Sequence, residues 1–519
     1  MRGGCRLPQR PMDEASRARI RVFLNDPAAR GQRPVSSEPP RDTEKGPWAF
    51  RVEGREPEPR VYEPDTPEFL YWQIASALSR GRTLWSRLLP KAGKWIPGRV
   101  LAAVPVDGEG LNAFYDRRAL HFFRDVDAKT GEIVHSGDSP DIVTHEQGHA
   151  VLDAIRADLW DAPHFEVAAF HEAFGDLAAI LVALEEKDLV AAVIEETSGS
   201  LDDSNLVSRL AEELAAAVTA KYGPEAALPD ALRDAVNPFG YRPPRSLPED
   251  GPADALTREP HSFGRVVTGA CWDVLVRLYA SPGRSKGMSG KADRAAHLSL
   301  AARDLGFLVA AATAGAASGA AFFRRFAVEL EFAARERISD AATVAGALAA
   351  RDLLPEGARR EPRRGERLAA MGLEPDALPT RVLDAVRARL GATAEEELVV
   401  RPAADGGMHG RRVRDLVLSG PEYGPADGAA VEISDSFAIT LEDGGYVAAS
   451  RIERAGAEDE EDAREFVRTL ARAGRIASDA ATRDPSELYR EGRSHFVVRE
   501  TDGVRRLRRA WHDGGVTWK

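Results

Sequence analysis

Residues 144–155 read THEQGHAVLDAI, and a little further on residues 170–180 read FHEAFGDLAAI. On an α-helix, side chains four residues apart share a face, so His145 and His149 can reach one ion. Glu146 stands one position round from the first imidazole. Its carboxylate falls beside that ion rather than on it, where a base must sit to take a proton from water. Ile142, Val143, Ala150, Val151 and Ile155 predict that this helix is buried, and unpaired buried imidazoles are costly. In the second stretch Glu172 and Asp176 are again four apart, among Val167, Ala168, Phe170, Leu177, Ile180 and Leu181. Two acids on a buried helix face need partners. Glu172 as a third metal ligand, and Asp176 as acceptor for the second N–H of a ligating imidazole, satisfy both. The pattern therefore predicts one catalytic zinc ion held by His145, His149 and Glu172, since such sites use three protein ligands and one open position. Two histidines and two acids on solvated helix faces are the bland alternative, and the apolar neighbours argue against it.

Working outward, the helical pattern starts at Ser139-Pro140-Asp141, a hydroxyl cap, a proline in the first turn and an acid at the positive end of the dipole. It continues for about two hundred residues, with helices expected around 141–159, 165–186, 203–221, 263–279, 291–313, 317–335 and 340–353. A Pro/Gly/Arg-rich break, PEGARREPRRGER (Pro355–Arg367), closes that block. Upstream, an amphipathic helix over 66–89 precedes strand-like runs at 99–106, 111–116 and 119–126. Downstream, from about Asp376, a helix leads into strands and hairpins, with a turn signal in TLEDGGYV and one acidic surface helix in GAEDEEDAREFVRTLARAG. These readings divide the chain into a Pro/Arg-rich arm (1–60), an N-terminal α/β lobe (61–138), a helical lobe (139–355), a linker (356–375) and a separate C-terminal α+β domain (376–519).

The chain has 519 residues, more than one core normally holds. Its net charge of −12 argues against nucleic acid as the main partner, because neutralising phosphates takes a basic face. Cys5 and Cys271 are too few for a disulfide framework. The N-terminus has no apolar h-region, so a secretory signal is not expected and a cytoplasmic protein is. The uncharged run Leu305–Phe323 is mostly Ala, Gly, Ser and Thr, which gain little in hydrocarbon, so it reads as a buried helix or helix pair rather than a membrane span. Five of the 11 histidines fall between His135 and His171, which asks for a metal or acid/base explanation. Neither His135 nor His164 has a role in that reading, and His171 is only a neighbour of Glu172.

The two quoted stretches resemble the thermolysin-like (gluzincin) zinc metallopeptidases, whose third ligand is the glutamate of an E-A-x-x-D motif. The resemblance covers about Val100–Leu354 and implies a zincin catalytic unit: α+β, with a small β-containing N-terminal lobe and a mainly helical C-terminal lobe. Asn112-Ala113-Phe114-Tyr115 looks like the family's edge strand, where Asn112 and Ala113 would pair with an extended peptide. Ala231-Leu232-Arg233-Asp234 looks like the segment whose arginine binds a substrate carbonyl. His261, in Pro260-His261-Ser262-Phe263-Gly264, looks like the histidine that holds the oxyanion. Three departures stand out. Trp160 replaces a tyrosine and offers an indole N–H in its place. Leu256 occupies the position of the aspartate that orients the histidine, leaving Glu259 or Asp254 as substitutes. An acid of the calcium sites is missing near Ala183, so a full calcium cage is not expected although Asp141 remains.

No membrane partner is expected from the N-terminus or the run Leu305–Phe323, and the resemblance implies a peptide or protein substrate and cleavage of internal peptide bonds with Glu146 as general base. The alternative is a weakened zincin-fold scaffold that binds peptides without cutting them. A third possibility is a peptidase restrained by the N-terminal arm or the C-terminal domain lying over the cleft, although no inhibitory segment is recognisable in the sequence.

Overall fold

The computed structural model describes residues 18–90, 92–281, 290–355, 357, 380–393, 396, 398–402, 408–442, 446–478 and 484–514. The chain is α+β. Strands β1 (Ile20–Val22) and β2 (Val35–Ser37) form a small antiparallel pair ahead of β3 (Ala49–Val52). Helix α1 (Pro67–Leu88) follows, capped by Thr66, whose hydroxyl accepts from the Phe69 N–H. Its apolar stripe, including Phe69, Ile74, Leu78, Trp85 and Leu88, is buried. Strands β4 (Val100–Val104), β5 (Ala113–Tyr115) and β6 (Ala119–Phe122) come next, then the short pair β7 (Arg124–Val126) and β8 (Ile133–His135).

The expected arm is not an arm over its described part. From residue 18 it enters the fold, and β3 pairs in parallel with β4, burying Trp48, Phe50 and Val52. A Pro- and Arg-rich composition concealed strands too short to carry an alternating pattern.

The helical lobe begins with α2 (Pro140–Ile155) and α3 (Phe165–Ala183). Ser139 is the N-cap of α2, but its side chain makes no capping bond. Helix α4 (Lys187–Glu196) was not anticipated. The helix expected from 203 starts only at Glu212, because Arg209–Leu210 (β9) pairs with Arg233–Asp234 (β10) and Ala211 takes a left-handed conformation that starts α5 (Glu212–Tyr222). Then come α6 (Pro260–Ala280), α7 (Lys291–Gly315), α8 (Phe322–Arg337) and α9 (Ala341–Ala350). Among the described residues α7 is the one helix long and apolar enough to cross a membrane by length and composition. Most of it is buried against α4, α6 and α8.

The linker expected at 356–375 lies outside the described residues except for Gly357. Beyond it, α10 (Thr380–Leu390) precedes β11 (Leu398–Pro402), β12 (Met408–Val417), β13 (Ala430–Glu442) and β14 (Tyr446–Glu453). The last two form a hairpin whose turn residues, 443–445, also lie outside the described set. The predicted acidic helix is α11 (Ala457–Arg472). It is followed by β15 (Ile476–Ala477), the short helix α12 (Pro485–Arg490), β16 (His495–Arg499), β17 (Arg505–Arg509) and β18 (His512–Asp513). Strands β11 to β17 make a seven-stranded sheet.

The C-terminal domain is not separate. Phe165 and Ala168 of α3 share an apolar cluster with Val431, Phe466 and Val497, and His164 Nδ1 lies 3.0 Å from Asp462 Oδ2 on α11. More consequentially, β18 leaves its own sheet and joins the N-terminal one. That sheet has five strands in the order β18-β5-β6-β4-β3, with β18 antiparallel to β5.

Candidate metal centre and cleft

Helices α2 and α3 lie close enough to share a site because glycines face each other where they meet. A Cβ on Gly148 would stand 3.0 Å from the Gly175 Cα, and one on Gly175 would stand 2.5 Å from the His145 ring. Without those side chains the imidazole of His145 lies flat on α3, and its Nδ1 donates to Asp176 Oδ1 at 3.1 Å. With a cation bound, that bond presents the Nε2 lone pair to it; without one, burial opposes the imidazolium but Asp176 and Glu172 outweigh it and raise His145 to about 9.

His145 Nε2 is 3.5 Å from Glu172 Oε2, and His149 Nε2 is 3.9 Å from Glu172 Oε1. All three side chains are buried, and neither Nε2 atom has a hydrogen-bond partner among the described residues, while Glu172 Oε2 faces His261 Nε2 at 3.2 Å as an ion pair. Orphaned, buried, convergent donor atoms of this kind are what a cation would satisfy. The ligating atoms of His145, Glu146 and His149 lie within 4.8 Å of one another, and so do those of a second group, His149, His171 and His512. These buried groups are close enough to hold a metal ion. Burial, aided by neighbouring cationic groups, drives His149 far below the ordinary imidazole range, so it is neutral and able to ligate.

Glu146 is fully buried, and that burial pushes its carboxyl up to about 8. Its Oε1 accepts from the backbone N–H of Gly514 at 2.9 Å, while Oε2 is unpartnered. His261 stands at the start of α6. Its Nδ1 donates to Glu259 Oε1 at 2.7 Å and its Nε2 to the carbonyl oxygen of Asp513 at 2.7 Å. Burial opposes the imidazolium, but Glu172, Glu259 and Asp513 outweigh it and raise His261 well above its usual value. Of the two acids left open by the sequence, Glu259 is the one that orients this ring.

Arg233, on β10, is held by both oxygens of Asp176, and its Nη2 donates to the Gly514 carbonyl at 3.1 Å. Burial works against the Asp176 carboxylate, yet Arg233 and His145 hold it down at about 2. Asn112 Nδ2 donates to Asp513 Oδ2 at 3.0 Å, and the Ala113 carbonyl accepts from Gly514 N at 3.3 Å. Beside Asn112, Arg233 and His261 opens a cavity of about 440 Å³ that Leu111, Tyr222 and Arg265 also line.

One expected contact is not made. The Trp160 indole N–H donates to the Arg509 carbonyl at 3.2 Å, so it braces the approach of the C-terminal strand rather than reaching the Asp513 carbonyl. Sequence reasoning also missed His512, which stacks on His171 with ring centroids 3.7 Å apart. Its position in a two-residue strand carries no periodicity that could have found it. Similarly, His171 is more than a neighbour of Glu172, because it shares the second imidazole group. No family model matches the chain, and no curated protein matches it in sequence.

Proposed function

We propose that the chain is a zinc-dependent peptidase of the thermolysin-like kind, with a zincin catalytic unit and His145, His149 and Glu172 as the zinc ligands. The observation that carries this reading is the convergence of the buried His145 and His149 Nε2 atoms, neither hydrogen-bonded, on the Glu172 carboxylate beside the buried Glu146. Bound there, zinc supplies Lewis acidity, lowering the pKa of water and polarising a carbonyl. Glu146 takes the proton of the attacking water and carries it to the leaving amide nitrogen, a role that its buried place beside the ligands suits. His261, with both ring nitrogens protonated, donates to the carbonyl oxygen as negative charge develops, and Glu259 holds it in place. Arg233 grips the next carbonyl, and the edge strand β5 holds the extended backbone. Peptide as the substrate class is supported by what these groups already touch, namely main-chain N–H and C=O.

The test is metal stoichiometry together with hydrolysis of a quenched peptide library by the full chain, with and without chelator. About one zinc per chain and chelator-sensitive cleavage lost in Glu146→Gln are expected. Cleavage that survives Glu146→Gln would sink the mechanism. The engagement of the Trp160 N–H elsewhere favours one second reading, a scaffold that binds peptides without cutting, and one bound zinc with no cleavage would select it.

A further inference from the structure

Resting on that reading, we infer that the C-terminal segment is itself a substrate, and that the protein cuts its own Asp513–Gly514 peptide bond. Three independent groups meet this one bond in matching roles. His261 Nε2 donates to the carbonyl oxygen of Asp513, the electrophilic side of the bond. Glu146 Oε1 receives the N–H of Gly514, the nitrogen that must leave. Arg233 Nη2 holds the carbonyl of Gly514, one residue beyond. Shifting the segment by one residue along β5 would turn every side chain to the opposite face and break all three contacts.

The segment is delivered in this register by the structure ahead of it and by the strand beside it. Ahead of it, the Ala510 N–H donates to the Ser494 carbonyl and Trp511 Nε1 to the Arg493 carbonyl. The Trp511 ring is buried with Phe114, Phe123 and Tyr489. His512 and Asp513 then add to the edge of β5, facing Tyr115 and Phe114. At the bond itself only glycine fits, because a Cβ on residue 514 would lie 2.4 Å from Glu146 Oε1 and 2.6 Å from the His145 ring. Trp511, His512 and Asp513 are all buried, so the site is closed to another peptide while the segment is in place.

The reaction is hydrolysis. The oxygen of a water molecule bonds to the Asp513 carbonyl carbon, the bond to the Gly514 nitrogen breaks, and Glu146 passes the water proton to that nitrogen. The second water proton follows to the amine, so one product ends in the new α-carboxylate of Asp513. The other is the peptide 514–519 with a new amino terminus.

The experiment starts from full-length protein prepared in chelator. Intact mass is followed after zinc is added, alongside quenched-peptide hydrolysis, for the wild type, Glu146→Gln and Gly514→Val. The wild type should lose residues 514–519 at a rate independent of protein concentration, and Glu146→Gln should keep its full mass. Independently of any turnover, hydrogen exchange on metal-free Glu146→Gln should show slow amides at His512–Gly514, and the same amides should exchange fast in metal-free Gly514→Val. Immediately after zinc addition, before cleavage, Gly514→Val should hydrolyse added peptide at least about tenfold faster than wild type, because its site is already free. A wild type that keeps its full mass while it hydrolyses added peptide would overturn the inference and leave the peptidase reading standing. No hydrolysis by either wild type or Gly514→Val, with zinc bound, would overturn both.

Discussion

The helix pair α2–α3 and the segment 510–514 both converge on the same buried carboxylate, Glu146, by opposite routes. On the helices the functional groups are set by local spacing: His145 and His149 are one turn apart, Glu172 and Asp176 one turn apart, and facing glycines bring the two pairs together. On the tail nothing local fixes the contact. Asp513 meets Asn112 across 401 positions of sequence, through strand addition and the anchoring of Trp511. A candidate metal site can thus be built from a short stretch of chain, whereas the groups that meet it as a peptide are placed by the tertiary fold.

The contrast can be broken most severely on the helix side. Gly175→Val drives a side chain into the His145 ring, and metal content should fall from about one equivalent to near none. Hydrolysis should drop by about 10²-fold or more, the cost of displacing a reacting group by about 1 Å. Metal analysis of the purified variant checks it, and full metal retention would show that the helices tolerate separation. On the tail side Trp511→Ala removes a fully buried ring and should cost about 3–5 kcal/mol in urea unfolding with metal content unchanged. Metal loss in that variant would mean that the two regions are not independent.

A milder cut lies between them. Asp176→Asn keeps the shape but loses the charge that holds His145 and Arg233, and metal affinity measured by competition with a chelator should weaken about 10–100-fold. The smallest effect concerns the entry to α2. Burial, reinforced by Asp65 and Asp26, pushes Asp138 up to about 7. Folded protein therefore holds a proton there that unfolded protein releases near pH 4, so this group's contribution to stability falls as pH rises from about 4 to about 7. The melting midpoint should decline by a few degrees across that window, and Asp138→Asn should flatten the slope. A decline unchanged in Asp138→Asn would assign it to other groups.

What was legible in the sequence follows the same division. The proximity of His145, Glu146, His149, Glu172 and Asp176 could be read because a helix converts spacing into direction. Glu259 could be narrowed only to one of two acids, since neither lies at the family's usual spacing and the choice depends on how the loop before α6 turns. The first described strands read as an arm in the sequence, because three- and four-residue strands among prolines show no period until pairing buries Trp48 and Phe50. The C-terminal region was set apart for a similar reason. His512 and Asp513 are two residues of a strand whose partner lies in another lobe, and no pattern within HDGG announces it.

The pairing of β18 with β5 also imposes an order in time. Synthesis proceeds from the N-terminus, so α2 and α3 are complete long before residues 512–514 exist. The longest-range contact in the site is the last that can form, and closing such separations is slow. A nascent chain therefore presents an open candidate metal site and an uncovered sheet edge until residues 512–514 have left the ribosome. During that interval the edge of β5 is free to pair with another chain, a hazard that ends when the protein's own tail completes the sheet.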